Sequence, residues 1–365
     1  MRVLLASKAL VVGAHHDKLR ALGANPDIDL MAVAPNRWVE QGRAQDAERP
    51  SPLGYEIVYT PLALNGRYHL FWFRRLRQIM RGFRPDVLHI DEEPYNLATA
   101  IACRDAVRYG VRPVFFAWQN LYRRYPPPFR WLERYVLERA DGIVGSEAAA
   151  DVLRRKGHTR RIAIIPQFGV DPRVFAPRPQ ARAPGRFVVG YAGRLIAAKG
   201  VDILIRAVGS IGGDVTLRLA GTGPAEPDLR RMSAAMPGVV FEGAIPSADM
   251  PAFFNGLDVF VLPTVGRRGW TEQFGRAAVE AMACGVPTVV ANTGELPQVV
   301  DEAGAIVSTG DAHALAEVLT QLRGDPARRE RLAVAGRAHV LKRYTTEAVA
   351  NATAAFYRSI ADGTS

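Results

Sequence analysis

The chain has 365 residues, 48% of them apolar and 23% charged, and a formal net charge of +11. That length exceeds what one hydrophobic core ordinarily covers, so two domains are expected, and the composition excludes a disordered or low-complexity chain. No apolar run approaches the roughly 18–20 residues needed to cross a bilayer. The two cysteines, Cys103 and Cys284, fall in separate halves without metal-ligand spacing, which points to a reducing, cytoplasmic setting.

The first stretch, MRVLLASKALVVGAHH, superficially resembles a secretory signal, but Lys8 interrupts its apolar run and MRVLLAS reads as a buried strand. Apolar runs then recur with amphipathic stretches between them. They are DLMAVA, YEIVYT, DVLHI, RPVFFAW, DGIVGS and IAIIP in the first half, and FVVGYAG, VTLRLAG, VVFEGA, DVFVLP, PTVVAN and GAIVS in the second. This rhythm predicts α/β architecture: parallel sheets with helices on both faces, in two doubly wound domains. The first domain is expected over 1–172 and the second over 187–344, with a Pro- and Arg-rich linker over 173–186 and a last helix over about 345–361. Ligands of open α/β sheets bind beyond the carboxyl ends of the strands, so the cleft between two such domains is the expected active site.

Charge is unevenly placed. Up to Arg173 there are 27 Lys and Arg against 18 Asp and Glu, and beyond it 20 against 18. A basic first half fits an acidic substrate, an anionic membrane surface or nucleic acid, or serves solubility alone. Nucleic acid is not expected, because the arginines are dispersed and no recognised motif accompanies them. Much of the excess lies in two aromatic-basic stretches, RYHLFWFRRLRQIMRGFR (67–84) and LYRRYPPPFRWLERYVLER (121–139). The first reads as an amphipathic helix able to lie in a membrane interface, although such aromatics usually belong to a core.

Within that half, DVLHIDEEPYNLAT ends a strand on His89 and follows it with Asp91, Glu92 and Glu93. A carboxylate at a strand end can orient an acceptor hydroxyl or take its proton, and Asp91 is the favoured group; the same acids can equally cap the next helix. Gly13, His15 and His16 in the first loop are further candidates for touching a phosphate or an acceptor.

The second half points to a nucleotide. After FVVGYAG, a short loop carries Gly193, Arg194 and Lys199 before the helix VDILIRAV. Arginine grips phosphate oxygens in a fork and lysine supplies a compact charge. AGTGP lacks G-x-G-x-x-G spacing and is not a dinucleotide fingerprint. The loop Gly243–Ile245 can face a flat base. In TEQFGRAAVEAMACGVP, a helix starts after Gly275 and stops before Gly285 and Pro287. Its unpaired amides suit a diphosphate. Glu272 lies before this helix and Glu280 about two turns further on; eight residues at ~100° each leave them within roughly 80° of each other around the axis. Carboxylates accept hydrogen bonds from hydroxyls, so these two acids suit the sugar and the ribose of one sugar nucleotide.

GRLIAAKGVDILIRA, LAGTGP, FEGAIPSADMPAFFNGLDVFVLPT and EQFGRAAVEAMACGVPTVVANTGELPQVV resemble, in that order, the donor half of retaining glycosyltransferases of family 4, and IPQFGVDPRVF extends the likeness. The resemblance implies a GT-B fold, two Rossmann-like domains facing across a cleft, with the final helix crossing back to the first. It implies a retaining, metal-independent transfer of a sugar from a nucleoside diphosphate sugar to a glycan or lipid-linked acceptor in polysaccharide or cell-envelope glycan and glycolipid biosynthesis. No cofactor is implied, since the sugar nucleotide is a substrate, and the cytoplasmic protein would sit free or peripherally on the inner face of the membrane. Arg194 and Lys199 become phosphate ligands, Glu272 contacts the transferred sugar, Phe274 and Gly275 offer backbone to the phosphates, and Glu280 binds the ribose. Three departures stand out. Gln298 replaces a usual Glu, the first loop has the single Gly13 instead of Gly-Gly, and Trp118-Gln119-Asn120 occupies the place where relatives often carry an active-site His. The alternative reading is a non-catalytic subunit of the same fold that binds a sugar nucleotide or a partner enzyme.

Overall fold

The computed structural model describes residues 1–40, 43–178, 185–267 and 269–361. The chain forms two compact units, one of Met1–Gly169 with Thr346–Ser365, the other of Val170–Thr345.

Unit 1 is built on seven parallel strands: β1 (Arg2–Ala6), β2 (Asp29–Pro35), β3 (Glu56–Thr60), β4 (Val87–Ile90), β5 (Arg112–Ala117), β6 (Asp141–Val144) and β7 (Ile162–Ile164). Their spatial order is β7-β6-β5-β4-β1-β2-β3. Successive side chains alternate between two cores, as the strand period requires. Leu4, Ala6, Leu88 and Ile90 face one core together with Phe71, Met80 and Phe115. Val3, Leu5 and Val87 face the other, against Leu19 and Leu22 of α1 (Asp17–Gly23) and Val349, Ala350 and Tyr357 of the last helix, Thr346–Ala361.

Unit 2 repeats the plan with six parallel strands: β8 (Phe187–Ala192), β9 (Val215–Ala220), β10 (Val239–Gly243), β11 (Val259–Leu262), β12 (Thr288–Ala291) and β13 (Ala305–Val307). The order is β10-β9-β8-β11-β12-β13. All thirteen apolar runs picked out in the sequence are therefore strands, and both sheets are doubly wound.

Two expectations need correction. The proposed linker does not begin at 173. Val170 pairs with Thr345, Phe175 joins the core of unit 2, and Asn255 bonds to Ala176 O and Arg178 N at 3.0 and 2.7 Å. Apolar anchors thus dock this proline-rich stretch onto unit 2, and residues 179–184 lie outside the described residues. The stretch 67–84 is not one amphipathic helix either. Trp72–Phe73 pairs antiparallel with Leu62–Ala63, and only α2 (Leu76–Phe83) is helical. Phe71, Phe73, Leu76, Met80 and Phe83 are buried, so the sheet already covers the apolar face that a membrane would have taken. Among the described residues no helix is long and apolar enough to cross a membrane.

Candidate functional site

In an open parallel sheet, a crevice opens where two neighbouring strands send their connections to opposite faces. In unit 2 that point lies between β8 and β11, and the loops that follow them carry the predicted donor residues.

After β8, Gly193 takes a φ of 153°, and the backbone carbonyl of Arg194 accepts a bond from the buried Tyr191 hydroxyl at 2.9 Å. The Arg194 side chain is exposed. A single 3-10 turn, Ala197–Lys199, leads into Gly200, which caps α3 (Val201–Ile211) with a φ of 65°. A Cβ at Gly200 would lie 2.2 Å from Pro263 O. Glycine lets the two loops touch there, and Val265 and Gly266 donate to Ala198 O at 3.0 and 3.2 Å. This contact brings Lys199 Nζ onto Glu272 Oε2, an ion pair whose side chains are only 16% and 12% exposed. Thr264 donates to the same carboxylate oxygen at 3.5 Å, and the Trp270 ring lies 5.3 Å from the Lys199 ammonium.

Glu272 precedes a helix, α4 (Arg276–Ala283), but is not part of it. Gly275, with a φ of 76°, reverses the chain between them, and a Cβ there would meet Leu296 at 2.5 Å. The helical angle expected between Glu272 and Glu280 therefore does not apply. Glu280 is buried and accepts a bond from Arg276 Nε at 2.8 Å. Burial raises its pKa, and Arg276 opposes the rise. The Phe274 ring packs 5.5 Å from Tyr344. The Gly243 carbonyl already accepts from Gly221 at 2.6 Å, and Ile245 packs on the core of unit 2. Of the predicted base-facing loop, the side without Cβ at Gly243 remains open.

Unit 1 shows the same device between β1 and β4. Lys8, after β1, pairs with Glu92, after β4; the Lys8 amide donates to the same carboxylate at 3.1 Å. Glu92 is thus committed to holding two loops together and is removed from the acceptor candidates. So are two histidines. His16 is fully buried between the Tyr55 hydroxyl (3.0 Å) and Leu10 O (2.9 Å). His89 is fully buried with Nδ1 2.5 Å from the Tyr357 hydroxyl, and burial pulls its pKa down to about 3. His15 stacks on Phe168 at 4.2 Å and bonds Ala9 O, while the Gly13 amide donates to Glu48 at 2.7 Å.

The remaining acceptor-side residues form a chain of bonds. Asp91 Oδ2 accepts from Gln167 Nε2 at 2.9 Å, and Gln167 Oε1 accepts from Trp118 Nε1 at 2.8 Å. The Trp118 amide donates to Glu93 Oε1 at 2.9 Å. Asp91 Oδ1, Glu93 Oε2 and Gln119 Nε2 are buried polar atoms without a hydrogen-bond partner among the described residues. Burial raises the Glu93 carboxyl to about 7, against the bond from Trp118. Asn120, next to Gln119 in the chain, is half-buried. Glu93 was named from the sequence only as the third of the strand-end acids, behind the favoured Asp91. Gln167 was not singled out: it stands in IPQFGVD, whose glutamine gives no local sign of its contact with Asp91. Among the described residues no group of three His, Cys, Asp or Glu side chains is arranged to hold a metal ion.

Residues 186–325 match the family profile described as "Glycosyl transferases group 1", and residues 32–174 that described as "Glycosyltransferase Family 4". The chain is 36% identical over 187 residues to the GDP-mannose-dependent alpha-(1-6)-phosphatidylinositol monomannoside mannosyltransferase of Mycolicibacterium smegmatis, covering 46% of this chain and 49% of that one. It is 33% identical over 172 residues to the capsular polysaccharide biosynthesis glycosyltransferase CapM of Staphylococcus aureus, covering 45% and 43%. The chain spans about half the length of the curated relatives it matches. Among solved structures it is similar to sucrose-phosphate synthase of Thermosynechococcus elongatus, with a TM-score of 0.75 at 20% identity and full coverage of both chains. It is also similar to Anabaena HepE in complex with UDP, with a TM-score of 0.72 at 18% identity over 98% of this chain and 100% of that one. At these identities the structures speak for the fold alone.

Proposed function

Because the chain belongs to the family 4 glycosyltransferases of GT-B fold, we propose that it moves a sugar from a nucleoside diphosphate sugar to an acceptor hydroxyl, with retention and without a metal ion. The observation that carries this reading is the contact of Lys199 with Glu272 at the β8/β11 crevice, next to the start of α4. Lys199 and Arg194 would bind the diphosphate, helped by the first amides of α4. Glu272 would accept hydrogen bonds from the sugar, and Glu280 from the ribose.

In the reaction, the bond between the anomeric carbon and the diphosphate oxygen breaks while the acceptor oxygen bonds that carbon. The acceptor proton passes to the departing diphosphate, so no strong protein base is required. Cations and helix amides act on the charge that grows on the leaving oxygen, the role an ion plays elsewhere. Asp91, linked through Gln167 to Trp118, would orient the acceptor hydroxyl. The acceptor class we favour is a cell-envelope glycan or a lipid-linked glycan, as in the relatives named above, and the setting is cytoplasmic.

The test is a panel of sugar nucleotides screened for release of nucleoside diphosphate with EDTA present. One sugar nucleotide should be turned over, and the anomeric configuration of the product should match that of the donor.

A further inference from the structure

Unit 1 also holds a cavity of about 440 Å³ whose lining includes no residue of the loops after β1 or β4. It lies between the helices Phe129–Leu137 and Glu147–Arg155, beside the loop segment Tyr122–Tyr125. Six cations line it, Arg123, Arg124, Arg130, Arg134, Arg155 and Lys156, against the carboxylates of Glu133 and Glu138. Both carboxylates are already engaged: Lys156 donates to Glu133 at 2.6 Å and Arg134 to Glu138 at 2.9 Å. Arg124 and Arg155 are instead held by an aromatic ring. Arg124 bonds the Tyr122 hydroxyl, and the Arg155 guanidinium lies 4.6 Å over the same ring. Lys156 also donates to Gln119 Oε1 at 3.4 Å. Neither Arg124, Arg130 nor Arg155 has a carboxylate partner among the described residues.

Cations gathered around one hollow repel each other, and a bound anion relieves that repulsion. Guanidinium forks match phosphate oxygens two at a time. A surplus of several charges suits a phosphate better than a single carboxylate. We propose that this cavity binds a phosphate-bearing ligand, separately from the donor residues of unit 2. A soluble phosphate ester and a lipid headgroup present the same oxygens. Trp131 separates the two sources: it is 66% exposed and shares a helix face with Arg134 and Glu138 by its i, i+3, i+7 spacing. Exposed tryptophan favours a membrane interface, and Trp131 is not in the cavity's lining, so a soluble ligand bound there would not depend on it.

The experiment titrates the full chain with inorganic phosphate by calorimetry and measures co-sedimentation with phosphatidylglycerol and phosphatidylcholine vesicles. Five proteins are compared: wild type, Arg124→Ala/Arg155→Ala, the charge-keeping Arg124→Lys/Arg155→Lys, Trp131→Ala, and Lys199→Ala as the donor-side control. The alanine pair should weaken phosphate or phosphatidylglycerol binding by about tenfold or more, since it removes two charge-assisted donors. The lysine pair should fall between it and wild type, and Lys199→Ala should leave the arginine-dependent component in place. Arginine-dependent binding of phosphate alone identifies a soluble ligand. Arginine-dependent capture on phosphatidylglycerol, weakened by Trp131→Ala, identifies a headgroup. If neither probe responds to the alanine pair, or if all phosphate binding disappears in Lys199→Ala, the proposal is overturned.

Discussion

Lys199 and Glu272 are 73 residues apart in the chain, yet the ammonium of one rests on the carboxylate of the other. The loops after β8 and β11 meet there, and Lys8 with Glu92 makes the corresponding tie in unit 1. In both units an ion pair closes the point where the sheet changes winding direction. The difference lies in what else the acid does. Glu92 is also bonded to the Lys8 amide and is 3% exposed, whereas Glu272 sits at the lip of a loop with Lys199 and Thr264 as neighbours.

Removing one member of the donor pair leaves the other partly buried without its counter-charge. Lys199→Met and Glu272→Leu should each lower stability by about 1–3 kcal/mol, less than for a fully buried pair. The double variant should recover most of that loss and none of the activity. Urea unfolding of the three variants beside a turnover assay separates the two effects; additive destabilisation in the double variant would count against a coupled pair.

Two glycines hold the crevice in shape. Gly200→Ala would force a Cβ to 2.2 Å from Pro263 O, and Gly275→Ala to 2.5 Å from Leu296, both at positive φ. The cost should be about 1–3 kcal/mol at each position. Gly200→Ala should also weaken nucleotide binding, because Lys199 is the preceding residue. Thermal unfolding and nucleotide titration of the two variants check this. Gly110→Ala, where an added Cβ meets nothing within 4 Å, is the control for positive φ alone.

On the acceptor side, Asp91→Asn and Asp91→Ala should depress transfer to an acceptor by about tenfold or more, short of the roughly 10²- to 10⁴-fold expected of a group that carries the proton itself. Binding of the sugar nucleotide should stay at the wild-type level. Parallel measurement of donor affinity and transfer decides it: an equal loss in both would move Asp91 out of the acceptor role.

Glu93 gives a pH signature. Its folded pKa, about 7, lies above the ordinary 4.5 because the carboxyl is buried. Between those values the folded chain keeps a proton that the unfolded chain has lost, so this group's contribution falls as pH rises through that window. Glu93→Gln should be nearly neutral near pH 4.5 and more stable than wild type at pH 8, by on the order of 2 kcal/mol. Chemical denaturation at the two pH values reads the difference directly; an equal offset at both would contradict the assignment.

The strands were easy to read because parallel sheets bury both faces and turn each strand into an unbroken apolar run, such as VLHI or VFVL. The donor loops were legible for a related reason: glycines with a structural duty, Gly200 and Gly275, flank the charged residues they position. Long-range contacts were not legible. His89 looked like a strand-end polar group, but its partner Tyr357 lies 268 residues further along the chain. The angle expected between Glu272 and Glu280 does not hold, because the spacing alone does not disclose the left-handed Gly275 between them. The aromatic-basic stretch 67–84 was misread because a short antiparallel pair carries its aromatic residues inward, leaving Arg74, Arg75 and Arg77 outside.

The central claim is that Arg194, Lys199 and Glu272 together hold a sugar nucleotide on unit 2. Its most direct measurement is calorimetric titration of a nucleoside diphosphate and of the matching sugar nucleotide into wild type, Arg194→Ala, Lys199→Ala and Glu272→Gln. The account predicts that the two cation variants lose affinity for both ligands by about tenfold or more, while Glu272→Gln binds the nucleoside diphosphate normally and loses only the gain contributed by the sugar. Wild-type affinity for both ligands in all three variants would contradict it.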